Sequence, residues 1–251
     1  MRLIIAGYVL SIVLAEAIGV VVSPAVGAAA HAALIVLLAA HYAWGGATPY
    51  RRLLPVLLLP SLLRVLSLAL PSRDVPQLYW YVLAGLPVLV AAGLAAWQLR
   101  LAPGRLGLGL RSDWVQAAIA LSGLPLALLA YFILRPAPLV TGAGWPLLLL
   151  AAVILVIFAA FLEEFIFRGL VLHATRDVLG RRGALVASSL LFAALYLGAL
   201  SPQFLLLIGL VGLYFGLCVE RTGSLWGVTI AHSVMVVGLV LVLPLVATSI
   251  H

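Results

Sequence analysis

Runs of about twenty apolar residues follow one another along this chain, separated by short connections that carry most of its arginines. That rhythm leaves few folds open, because backbone placed in lipid must satisfy its own hydrogen bonds and a helix needs roughly 20 apolar residues to cross the hydrocarbon. Charged residues make up only 8% of the 251 and hydrophobic ones 66%, against roughly 25% charged in soluble domains. The expected fold is all-α, a polytopic membrane bundle of about eight or nine transmembrane helices. The spans read Leu3 to Val22, Ala25 to Trp44, Leu53 to Leu70, Leu78 to Leu99, Trp114 to Leu134, Trp145 to about Ala174, Ala184 to Leu200, Phe204 to Val219 and Leu225 to Ala247.

Arginine placement orients this bundle through the positive-inside rule. Counted loop by loop, Arg2, Arg51, Arg52, Arg100, Arg105, Arg111, Arg176, Arg181, Arg182 and Arg221 fall on one side, and only Arg73 and Arg135 on the other. The amino terminus is expected in the cytoplasm. The net charge of +7 is then mostly a topology signal, so the expected partner is the lipid bilayer and no nucleic acid is implied. Arg2 before an apolar run, with Ala15-Glu16-Ala17 as a small-x-small site, has the form of a signal peptide, but the run continues to Val22 and a retained helix is expected. Lysine and asparagine, whose codons are AT-rich, are absent, which suggests a GC-rich bacterial source and the inner membrane as location. Cys218 is the only cysteine, which excludes an internal disulfide and a multi-cysteine metal site.

The interval Arg100 to Asp113, with Pro103, three glycines and three arginines, divides residues 1–113, holding about four helices, from residues 114–251. The second group contains the strongest anomaly in the chain, Glu163-Glu164-Phe165-Ile166-Phe167-Arg168. A charge at the centre of a bilayer costs about 2.5–3.5 kcal/mol on insertion scales, so three together must face partners or water inside the bundle. Glu164 and Arg168 stand at i and i+4, about 40° apart around a helix, and can pair; Glu163 projects about 140° from Arg168, beside Ile166, Phe167 and Leu170. Glu163 is thereby left free for chemistry, since a carboxylate in apolar surroundings beside a like charge can take a proton from water near neutral pH. The competing reading is a buried ion pair that only fixes helix packing.

Two further segments accompany this motif: Ser189-Leu190-Leu191-Phe192-Ala193-Ala194-Leu195-Tyr196-Leu197, and Glu220-Arg221-Thr222-Gly223-Ser224-Leu225-Trp226 leading to His232. At these residues, from roughly Trp145 to Val240, the chain resembles the CAAX protease and bacteriocin-processing family of intramembrane glutamic endopeptidases. That family carries a Glu-Glu-x-x-x-Arg, a Phe-x-x-x-His and a His-x-x-x-Asn motif in this order. The resemblance implies that Glu163 activates the attacking water, that Glu164 and Arg168 form its supporting pair, and that His232 donates to the oxyanion. No metal or other cofactor is implied, and the implied substrates are membrane-anchored or lipid-modified proteins or peptides.

Two positions depart from the pattern. Tyr196 stands where the second motif has histidine, and a tyrosine is a poor base at neutral pH. Val236 replaces the amide of the third motif, so a second oxyanion donor would have to be Thr229, Ser233 or backbone, and losing one such donor costs about 10²–10³ in rate in other hydrolases. These departures favour the alternative of a family scaffold that binds a partner without hydrolysis. A small transporter is a third reading, against which stands the lack of an inverted repeat.

The remaining polar residues have plainer expectations. Phe192 and Tyr196 suit an aromatic pair, Ser224 an N-cap and Trp226 an interfacial belt. Glu16, His31, His41 and Arg64 are expected to pair with one another or snorkel, His173 to lie near an interface, and His251 to be a chain end. His-Glu-x-x-His and Gly-x-Gly-Asp are both absent, and Ser122-Gly123 lacks the glycine that precedes the serine in a rhomboid-type motif.

Overall fold

A computed structural model describes residues 1–46, 48, 50–70, 75–109, 113–142 and 144–249. Arg73, Arg111 and His251 lie outside the described residues. Among the described residues there is no strand, and eight helices are long and apolar enough to cross a membrane. The chain is a multi-pass integral membrane protein.

Helices α1 (Arg2–Val21), α2 (Pro24–Trp44), α3 (Leu54–Ala69) and α4 (Gln77–Gln98) come first, followed by α5 (Trp114–Leu134). Next comes a helical run of 50 residues, Trp145–Ala194, about 75 Å if straight and so too long for one crossing. It is divided at Gly180, where φ 73 and ψ 172 leave the helical region. We call residues 145–179 α6 and residues 181–194 α7; α8 (Pro202–Thr222) and α9 (Trp226–Ala247) complete the bundle. The sequence reading stopped the sixth span near Ala174 and resumed at Ala184, whereas the intervening residues are helical. A single glycine, free to take positive φ, makes the break there.

The seventh span also ends earlier than expected, at Ala194 rather than Leu200. The chain turns through Leu197–Ala199 and the left-handed Leu200 (φ 52). Pro202 disfavours helix at the residue before it, so Ser201 is extended and its hydroxyl caps α8 by accepting from the Phe204 amide at 3.3 Å. This turn carries Tyr196.

One hydrophobic core runs through both helix groups, joining Ile5, Ile12, Leu57 and Val88 to Phe167, Phe192, Ile208 and Met235. Where α4 meets α6, a Cβ on Gly85 would sit 2.8 Å from Cδ1 of Phe158, so only glycine permits this approach with Phe158 in place. The connection after α4 is docked on the bundle: Leu106 is buried and the Leu225 amide donates to the Gly107 carbonyl at 2.9 Å. Trp226 takes part in this packing: its indole N–H donates to the Leu108 carbonyl at 3.2 Å and its ring stacks on Phe161. Gln116 of α5 accepts from the Gly227 amide at 2.7 Å, satisfying a first-turn donor of α9.

The arginines assigned to one face gather at one end. Arg2 donates to the Val178 carbonyl at 3.2 Å, and Arg51, Arg52, Arg100 and Arg105 line a common cavity with His173 and Asp177. Arg176 and Arg181 both pair with Glu220, at 3.5 and 2.5 Å.

Candidate active site

Glu163 and Glu164 lie in a short α-helical piece of α6, Leu162–Glu164, between two π-helical turns, Val156–Phe161 and Phe165–Val171. Wide turns of this kind are rare and frequently occur at functional sites. They also free carbonyls for other partners: that of Phe167, inside the second wide turn, accepts the Ser188 hydroxyl of α7 at 2.7 Å. With α6 extending to residue 179, Glu163 lies near the middle of its helix.

The two glutamates have different surroundings. Glu164 is 0% exposed; its Oε1 accepts from Arg168 Nη1 at 3.0 Å and contacts His232 Nδ1 at 2.9 Å. The i,i+4 pair read from the sequence is therefore present, and His232 from α9 closes it. Arg168 is held further by Phe192, whose ring centroid lies 4.0 Å from its Cζ, and by the Gly212 carbonyl at 3.4 Å from Nη2. A side chain at Gly212 would crowd Ser189, with a Cβ 3.2 Å from that of the serine, so the glycine lets α8 come near enough to α7 for this contact.

Glu163 is half-buried and lines a cavity of about 410 Å³. Its Oε2 accepts from the Tyr196 hydroxyl at 2.8 Å, the one hydrogen bond it makes among the described residues. Tyr196 packs on Phe192 and Phe204, at 5.5 and 5.9 Å between centroids, so the aromatic pair expected from the i,i+4 spacing exists and holds the hydroxyl on the carboxylate.

Of the residues singled out in the sequence, the structure brings Glu163 and Tyr196 onto one cavity and sets Glu164, Arg168 and His232 together behind it. His232 is 1% exposed, makes its hydrogen bond to Glu164, and does not line the cavity. Val236 is half-buried. Ser233 donates back to the Thr229 carbonyl at 2.7 Å, and the Thr229 hydroxyl is buried with no partner among the described residues. Neither reaches the cavity. No cluster of three or more His, Cys, Asp or Glu suited to a metal occurs among the described residues.

Sequence reasoning did not find the far wall. Leu63, Arg64, Ser67 and Leu68 of α3 and Gln77, Trp80, Tyr81, Ala84 and Gly85 of α4 line the cavity opposite Glu163. These are the halves of α3 and α4 farther from Arg51, Arg52 and Arg100, so the cavity lies toward the arginine-poor end. Arg64 in an apolar span was the only signal in that wall.

No curated protein and no solved structure matches the chain. Residues 143–238 match the family model described as type II CAAX prenyl endopeptidase Rce1-like, a protease family, in agreement with the resemblance carried by the Glu163, Tyr196 and His232 segments and in support of a membrane-embedded hydrolase.

Proposed function

We propose that this protein is an intramembrane endopeptidase that hydrolyses a peptide bond in membrane-anchored or lipid-modified substrates, with Glu163 as the base that activates water. The observation that carries this reading is the division of labour between adjacent carboxylates. Glu164 is spent on Arg168 and His232, while Glu163 faces a cavity large enough for a peptide segment. A carboxylate with one oxygen fixed by Tyr196 and the other free of hydrogen bonds among the described residues can hold a water and accept its proton. Arg168 and Glu164 keep the helix backbone and its neighbours in place around that base. His232, with Nδ1 committed to Glu164, would reach the oxyanion only through its other ring nitrogen.

Tyr196 supports a second reading, in which the scaffold binds a peptide tail without cutting it. Its hydroxyl occupies the side of Glu163 on which the family motif has an imidazole. One comparison separates the two: wild type and Glu163→Gln, reconstituted with candidate lipid-anchored substrates and followed by mass spectrometry. The hydrolase reading expects products from wild type alone, with Tyr196→His raising their yield. Equal product profiles from wild type and Glu163→Gln sink it.

A further inference from the structure

A second buried polar cluster lies in the amino-terminal helices and reaches the same cavity. Glu16 of α1 is 2% exposed; its Oε2 accepts from Arg64 Nε at 2.8 Å, and its Oε1 lies 2.7 Å from the same nitrogen as an ion-pair contact. His31 of α2 stands 3.4 Å from Glu16 Oε1 through Nε2, and its Nδ1 contacts the Ser61 hydroxyl at 3.2 Å. Arg64 itself is 19% exposed and lines the cavity that holds Glu163.

Only one of the three guanidinium nitrogens is used in this arrangement. Nε is anchored, and the two terminal nitrogens carry no hydrogen bond among the described residues. Anchoring by Nε fixes the plane of the fork, which is the arrangement that lets arginine receive a carboxylate with two parallel hydrogen bonds. The same wall holds Trp80, whose indole N–H is buried without a partner among the described residues. The cavity is therefore polarised: α3 and α4 contribute unused donors and α6 contributes the carboxylate of Glu163. Keeping an ion pair in the membrane interior is expensive, which marks such residues as functional by default.

We propose that Arg64 is a substrate-binding residue that receives a peptide carboxylate, namely the free α-carboxylate of a substrate tail, and so fixes which bond of that tail lies against Glu163. Glu16 and His31 act as positioning residues through Arg64. The proposal rests on the reading of Glu163 as the base, but binding can be measured without cleavage. Apolar neighbours Leu63, Leu68, Trp80 and Phe158 fit a tail whose last residues are hydrophobic.

The test uses the full chain carrying Glu163→Gln, reconstituted in nanodiscs, and two pools of palmitoylated octapeptides randomised over the last four positions, one ending in a free acid and the other in a carboxamide. Capture is quantified by mass spectrometry. The expected result is a preference for the free acid of about tenfold or more, the scale of a charge-assisted hydrogen bond. That preference should disappear when Arg64→Gln is added. Because removing Arg64 leaves Glu16 buried and unpaired, the double change Glu16→Gln with Arg64→Gln serves as the second variant, neutralising both partners while keeping hydrogen-bonding groups in place. Equal capture of acid and amide, capture of neither, or a preference that survives both variants overturns the proposal. The acid preference together with no cleavage of the same peptides by wild type would sink the hydrolase reading alone.

Discussion

Two clusters of one glutamate, one arginine and one histidine are buried in this bundle, and they are built from different material. In the carboxy-terminal cluster, Glu164 and Arg168 are neighbours on one helix and His232 arrives from α9. In the amino-terminal cluster, Glu16, His31 and Arg64 come from three different helices. The first is sealed, with both Glu164 and Arg168 side chains at 0% exposure. The second leaves Arg64 partly open to the cavity. A sealed triad is suited to holding its helix and its neighbour Glu163 in place, whereas an open one can present a charge to a ligand. On the readings proposed above, the same three residue types serve as scaffold in one place and as a surface for recognition in the other.

The comparison is broken most severely at the residue beside the sealed triad. Glu163→Gln is expected to lower cleavage by about 10²–10⁴-fold, the usual scale of general-base catalysis, with the thermal midpoint in detergent nearly unchanged. Next in size, Arg168→Met should cost about 3–5 kcal/mol in folding stability, since it strands Glu164 as an uncompensated buried charge. Removing Glu16 from the open cluster should cost less, roughly 1–3 kcal/mol, because Arg64 can still turn toward the cavity. Reversible unfolding in mixed micelles compares the two variants directly, and an equal loss would mean the clusters do not differ in kind. Tyr196→His should raise turnover by about tenfold by giving Glu163 a neighbour able to exchange protons near neutral pH. The smallest effect is expected from Ser61→Ala, which removes only the 3.2 Å contact to His31 and should cost about 1 kcal/mol or less.

Much of this architecture is legible from residue order. Charges in hydrocarbon are so costly that Glu163, Glu164 and Arg168 draw attention unaided, and the i,i+4 spacing is enough to pair Glu164 with Arg168. Pairing among Glu16, His31 and Arg64 was likewise expected, and His41 is satisfied by the Tyr8 and Tyr50 hydroxyls at 2.8 and 3.3 Å. What escaped was geometry that depends on long-range packing. Nothing near Val156 or Phe165 marks a wide turn, since apolar runs of the same kind fill the other spans, and the carbonyl freed at Phe167 is met only through a tertiary contact, from the Ser188 hydroxyl. Trp226 has the profile of an interfacial aromatic, and nothing in that profile announces that its N–H donates to a carbonyl in a connection more than a hundred residues earlier. The cavity wall opposite Glu163 is invisible for the same reason, because only folding brings Arg64 within reach of a residue on α6.

That wall bears on how the protein could be dissected. The stretch that matches a known family, residues 143–238, supplies Phe158, Glu163, Leu195 and Tyr196 to the cavity, and the other lining residues among those described come from α3 and α4. Expressed alone, or transplanted onto other helices, the matching stretch would carry its carboxylates with acyl chains in place of the missing side. It is half of a vessel rather than a portable module, and the less recognisable helices decide what the vessel can hold.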